Sequence, residues 1–271
     1  MCELADVSRS GFYEWRDRAP SQREQANVAL LESITEIHDR SRKTYGAPRV
    51  HGELKHLGFC VGHNRVARLM KLNGLVGAHG RRKWRRGKPD TAPAPDLVQR
   101  EFSRSEPNEL WVADITEFQT GEGKLFLAGV KDLGSNYLPG WSMAERQTVD
   151  LVIDAVVMAV RRREPKTQPI HHSDKGCQYT SLNFTQKLND LGLVQSFGST
   201  GDCYDNAAME TFWATLKREL AHIHGKTFWA TRVELRMAIF DYIEAFYNRS
   251  RSQARLGYLS PTDYEAKLLT A

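Results

Sequence analysis

The chain has 271 residues, with 38 Lys+Arg against 33 Asp+Glu, 41% hydrophobic and 26% charged residues. These are the proportions of a soluble globular protein with room for a sizeable core. No stretch approaches the roughly 18 apolar residues of a membrane span, and the acidic start Met1-Cys2-Glu3-Leu4-Ala5-Asp6 has no signal-peptide core. The scattered cysteines Cys2, Cys60, Cys177 and Cys203 argue against a disulfide framework or a thiolate zinc site, so a reducing cytoplasm is expected.

Charge is unevenly spread. Residues 1–100 hold 19 Lys+Arg against 11 Asp+Glu, and the remainder 19 against 22. A basic front half on a near-neutral back half suits a polyanionic partner, although a merely solvated basic surface has the same composition.

The first third reads as short helices. Ser8 to Trp15 falls where one short helix turns into the next, and Ala26 to His38 carries Leu30, Leu31, Ile34 and Ile37 on one stripe. Val50, Leu54 and Leu57 give a short helix ended by Gly58. Gly62 to Leu72 gives another, with Val66, Leu69 and Met70 inward and Arg65, Arg68 and Lys71 outward. Two short helices around a Gly-bearing turn have the pattern of a helix-turn-helix, with Arg65 and Arg68 as candidate DNA contacts, though any helical hairpin shares that pattern. Residues 1–77 are read as this helical region. Residues 78–100 form a linker: Arg81, Arg82, Lys83, Arg85, Arg86 and Lys88 surround Trp84, and Thr91-Ala92-Pro93-Ala94-Pro95 makes a stiff spacer. Its cations suit a phosphate backbone, and a plain soluble connector would look alike.

From residue 101 the texture becomes mixed. Leu110 to Phe118 is rich in strand formers, with Val112, Asp114 and Thr116 on one face and Trp111, Ala113 and Ile115 on the other. Gly121-Glu122-Gly123 is a turn, and Leu125 to Val130 has the continuous apolar run of a central strand. Tyr137 to Met143 is a third strand, placed at a sheet edge because Pro139 cannot donate to a ladder. Val149, Val152, Ile153, Val156, Val157 and Val160 mark a long amphipathic helix. Strands at 169–172 and 194–197 then alternate with helices at 182–191 and 205–220, and a last helix carries Leu235, Ile239, Tyr242, Ile243 and Phe246. The sum is an α/β domain with a mixed five-stranded sheet flanked by helices.

Three acids stand out by context. Asp114 sits mid-strand among apolar neighbours, where an unpaired carboxylate is costly. Asp174 follows the fourth strand in a Gly-bearing loop, and Glu210 rides on the helix after the fifth. Hard oxygen donors of this kind suit Mg²⁺ or Mn²⁺, and two such ions roughly 3.5–4 Å apart support in-line phosphoryl transfer. Asp132, Asp154, Asp202 and Asp205 have the same chemistry, so the residues alone leave the choice open.

The segments around these acids resemble the integrase-type catalytic domain of DDE transposases, most closely the OrfB half of two-frame bacterial insertion sequences. The matching segments are Trp111-Val112-Ala113-Asp114-Ile115-Thr116, His172-Ser173-Asp174-Lys175-Gly176-Cys177-Gln178-Tyr179 and Asp205-Asn206-Ala207-Ala208-Met209-Glu210-Thr211-Phe212. Asp174 and Glu210 are separated by 35 intervening residues, the family spacing. Tyr247-Asn248, Arg251, Leu256-Gly257-Tyr258 and Ser260-Pro261 match its C-terminal signature. The resemblance implies an RNase H-like domain over residues 101–271, two bound Mg²⁺ or Mn²⁺ ions on Asp114, Asp174 and Glu210, and metal-dependent DNA cleavage and strand transfer. It implies that Lys217, two helical turns after Glu210, contacts element-end DNA. Supporting roles fall to His172, Asn206 and Arg251, though a structural histidine and an ordinary helix start at Asp205-Asn206 fit as well. Implied partners are duplex DNA (terminal repeats and target), a first-frame OrfA-type protein and further copies of the chain, with no membrane; the expected location is the bacterial cytoplasm, at the nucleoid. Asn136 stands where the family usually has Arg, and Gln253 where it has His. Two other readings stay open: a catalytically inactive DNA-binding relative, and an RNase H-like nuclease.

Overall fold

The computed structural model describes residues 8–79, 106–198 and 207–270. The chain divides into two compact units, Met1–Gly77 and Ala78–Ala271. In the first, α1 (Arg9–Asp17) is a single helix in which the Ser8 hydroxyl accepts from the Gly11 N–H at 3.1 Å. The break expected within Ser8–Trp15 is therefore a helix start, because serine is a strong N-cap. Then come α2 (Gln22–Arg40), opened by a Ser21/Glu24 capping box, α3 (Ala47–His56) and α4 (His63–Leu72). Leu30, Ile34 and Ile37 of α2 are buried, as are Val50 and Leu54 of α3 and Val66, Leu69 and Met70 of α4. This small core is the one the helical stripes predict.

The second unit holds a five-stranded sheet in the order β3-β2-β1-β4-β5. Its strands are β1 (Leu110–Thr120), β2 (Gly123–Asp132), β3 (Gly140–Ala144), β4 (Ile170–Ser173) and β5 (Val194–Phe197). Strands β1, β2 and β3 form an antiparallel meander, while β1, β4 and β5 pair in parallel through helical crossovers. Strand β3 is at the edge as expected but begins after Pro139, since the first ladder position needs an N–H that proline lacks. One sheet face, formed by Trp111, Ala113, Ala128 and Val130, packs on α5 (Val149–Arg163) and α6 (Leu182–Asp190) through Leu151, Val152, Ala155, Val156, Phe184 and Leu188.

The other face meets α7 (Ala207–His224). Gly129, opposite Asp114 in the ladder, makes room: a Cβ there would lie 2.7 Å from Cη2 of Trp213. The last long helix is not uniform. Helix α8 (Arg232–Asp241) runs into a π-helical turn, Tyr242–Tyr247, and α9 (Pro261–Leu269) follows. The wider turn lets Tyr242 and Tyr247 stack with ring centroids 6.2 Å apart. Phe240, just before that turn, is 49% exposed and meets the Trp141 ring edge-on at 5.9 Å.

Candidate active site

Asp114 is half-buried at the middle of β1, on the face that meets α7. Its Oδ2 accepts the indole N–H of Trp213 at 3.0 Å. Its pKa is pushed up to about 6, first by burial. Hydrogen bonds from the Ile115 backbone and Trp213 oppose the rise, and the charges of Asp174 and Glu210 add to it. Acids from a strand, a loop and a helix thus lie in one another's field. Asp174 is exposed directly after β4, where its Oδ1 accepts the Gly176 N–H at 3.1 Å and shapes the loop. Glu210 is exposed in the first turn of α7. Among the described residues, no group of three His, Cys, Asp or Glu is drawn together closely enough to hold a metal ion.

Trp213 and Lys217 follow Glu210 by three and seven residues, so all three share one face of α7. The Lys217 ammonium lies 5.0 Å from the Phe118 ring centroid. Burial lowers its pKa, while Glu117 and Asp114 pull it back up. Tyr179, 2% exposed, has its phenol pKa raised first by burial and then by Asp114 and Asp174. Alternation along β1 finds Asp114, but nothing in the sequence marked Trp213 as its hydrogen-bond donor or Tyr179 as its neighbour. The signal available was the i, i+3, i+7 spacing of Glu210, Trp213 and Lys217.

Other expected site residues have structural partners. His172 is 1% exposed, and its Nδ1 pairs with Ser196 Oγ at 3.0 Å across β4 and β5, in register. Arg251, 4% exposed, donates from Nε and an Nη to the two carboxylate oxygens of Glu219, both at 2.8 Å; Tyr242 OH adds a third bond at 2.8 Å. Asp132 accepts backbone N–H groups from Asn108 and Gly134, each at 2.7 Å, and is therefore a loop organiser. In the helical unit Arg68 is exposed, but Arg65, expected to point outward, is half-buried and donates to Asn27 Oδ1 at 2.8 Å, which ties α4 to α2. Asn136 adopts φ 58°, a left-handed conformation that asparagine tolerates better than arginine does. The linker cations Arg81, Arg82, Lys83, Arg85, Arg86 and Lys88, with Asn206, lie outside the described residues.

Three segments match known family models: an HTH-like domain at residues 25–83 and an integrase core domain at residues 104–203 and again at 210–269. The first integrase segment carries Asp114 and Asp174, and the second begins at Glu210. The chain is 41% identical to the insertion element IS600 31 kDa protein of Shigella sonnei, over 98% of both chains. It is 38% identical to transposase InsF of insertion sequence IS3A from Escherichia coli, over 99% of this chain and 94% of that one.

The chain belongs to the IS3-family transposases.

The transposase is accordingly a DNA-acting polynucleotidyl transferase, with an integrase core preceded by an HTH-like segment. Its fold is also that of a chain in the solved structure of the simian T-cell lymphotropic virus intasome, matched at TM-score 0.51 and 14% identity over 85% of this chain and 73% of that one. Among the described residues no helix is long and apolar enough to cross a membrane.

Proposed function

We propose that Asp114, Asp174 and Glu210 are the catalytic acids of this transposase and hold two Mg²⁺ or Mn²⁺ ions. The supporting observation is the raised pKa of Asp114, caused by burial and by the charges of the other two acids. A half-buried carboxylate in a negative field fits a divalent cation, which removes both penalties. The all-oxygen donor set fits a hard ion. When bound, the ions supply the Lewis acidity that activates a water or a 3′-hydroxyl and stabilises the leaving oxygen.

The chain's own residues supply placement. Trp213 fixes one oxygen of Asp114 and leaves the other to coordinate. Gly176 holds the Asp174 loop, and the first turn of α7 presents Glu210. Lys217 lies on the same face of α7, where it meets a phosphate of the element end. Arg68 and the linker cations from Arg81 to Lys88 extend the DNA contact along the backbone. Residues 1–77 act as the DNA-binding region, 78–100 as the linker and 101–271 as the catalytic domain. The work is done in the cytoplasm, on DNA at the nucleoid. Because two element ends must be held at once, the active form is an oligomer, assembled with the first-frame OrfA-type protein.

Cleavage and strand transfer on duplexes carrying the element's terminal repeats test this reading. Activity should require Mg²⁺ or Mn²⁺ and disappear in Glu210→Gln and Asp114→Asn, with DNA binding retained. Full activity in Glu210→Gln, or cleavage without a divalent ion, would overturn it.

A further inference from the structure

Away from the three acids, β2 carries an unusual lysine. Lys131 is 8% exposed, yet no described residue accepts a hydrogen bond or forms an ion pair with its ammonium. It pairs with Val112 in the ladder, two positions along β2 from Gly129, which pairs with Asp114. Lys131 and Asp114 therefore share the sheet face that α7 covers.

The groups around Lys131 are aromatic or cationic. Its Nζ lies 6.0 Å from the Phe212 ring centroid, and that ring packs edge-on against Tyr247 at 4.7 Å. Tyr247 OH donates to the backbone oxygen of Asn136 at 3.1 Å, and the Asn136 side chain is 3.5 Å from an Nη of Arg255. Arg251 lies with its Cζ 5.8 Å from the Tyr247 centroid. Arg255 and Arg251 are both close enough to repel the Lys131 ammonium, and after burial they are what pushes its pKa down to about 7. Glu219 is the acid of this cluster, and Arg251 takes both of its oxygens. Lys131 and Arg255 are left without a matching negative charge among the described residues.

Charging an amine that two cations repel is costly, so without a ligand Lys131 is held largely neutral above pH 7. An anion seated between them reverses that cost. We propose that Lys131 and Arg255 form a binding pocket for a phosphate group, and that it takes a backbone phosphate of the transposase's DNA. Asn136 Oδ1 orients the Arg255 guanidinium. The assignment to DNA rests on the transposase reading; the pocket itself does not.

The test uses the full chain at pH 8, where Lys131 is largely neutral and must take up a proton as the phosphate binds. Calorimetric titrations with duplex DNA and, separately, inorganic phosphate, each in two buffers of different ionisation enthalpy, report that proton. Wild type should take up close to one proton per site, and Lys131→Met close to one fewer. Lys131→Met and Arg255→Gln should each weaken DNA binding about tenfold and lower the salt dependence of log K by about 1. Equal proton uptake in wild type and Lys131→Met overturns the pocket. Uptake with phosphate but not with DNA overturns the DNA assignment. A wild type that binds no DNA faults the transposase reading, and the phosphate arm still decides the pocket. If Lys131→Met does not fold, Arg255→Gln, changed at an exposed residue, carries the test.

Discussion

The two faces of the sheet are made from alternate residues of the same strands, and they differ in kind. The face toward α5 and α6 is mostly apolar, with Trp111, Ala113, Ala128 and Val130 meeting Leu151, Val152 and Val156. The face toward α7 and the C-terminal segment carries Asp114, Lys131 and the buried Glu219–Arg251 pair around Trp213 and Phe212. The first face stabilises by burial alone, so residues of similar volume can replace one another there. The second holds charges whose costs are met only by particular partners or by ligands, and function is concentrated on it.

Breaking the charged face should cost most. Glu219→Ala leaves Arg251 uncompensated at 4% exposure and should destabilise by about 3–5 kcal/mol in urea unfolding. Replacing both Glu219 and Arg251 with methionine should recover most of that loss. A double variant as unstable as the single one would mean that the pair contributes by packing, as the apolar face does.

The apolar face holds a histidine, and acid should reveal it. His171 is fully buried against Tyr179 and Phe184, and burial pushes its pKa down to about 4. Its folded pKa is below its unfolded value of about 6.5. The stability it allows is therefore present above pH 6.5 and is lost as pH falls through 4, by on the order of 3 kcal/mol. In His171→Leu the difference in unfolding free energy between pH 7 and pH 4 should shrink by about that amount; an unchanged difference sinks the assignment.

Asp114 behaves in the opposite sense. Its pKa is raised, so its favourable contribution is present below about 3.8 and lost as pH rises through about 6. Without divalent ions, Asp114→Asn should be about 2 kcal/mol more stable than wild type at pH 8 and no more stable at pH 4. Mg²⁺ should raise the Tm of wild type but not of this variant. The smallest effect expected is that of Gly129→Ala, about 1–2 kcal/mol, because the new methyl must displace the Trp213 ring. Activity in Gly129→Ala should fall further than its stability does, since Trp213 also holds Asp114.

Local patterns made much of this legible. Alternation along β1 put Asp114, Val112 and Thr116 on one face, the stripe from Val149 to Val160 gave α5, and Pro139 put β3 at an edge. What escaped was set by packing at long range. Arg65 has the spacing of an outward residue, yet Asn27, 38 positions earlier, bonds it. Lys131 directly follows a run that reads only as a central strand, and its neighbours Arg251 and Arg255 lie more than a hundred residues on. His172 fitted two roles until its pairing with Ser196 across the ladder favoured the structural one. Periodicity reports which face a side chain occupies and is silent about its partner.

The π-helical turn at Tyr242–Tyr247 also sets the angular phase of everything after it. Five residues along an ordinary α-helix leave two side chains about 140° apart, whereas here Tyr242 and Tyr247 stack. A π-turn takes up one more residue than an α-helical turn, so deleting one residue inside it would restore α-helical pitch with little rotation of the following chain. Arg251 would stay opposite Glu219, and Asn248 would keep its two bonds to the Leu138 backbone. A one-residue length change is thus absorbed here as a wider turn, and chains differing by a single gap at this point should still dock their C-terminal segments alike.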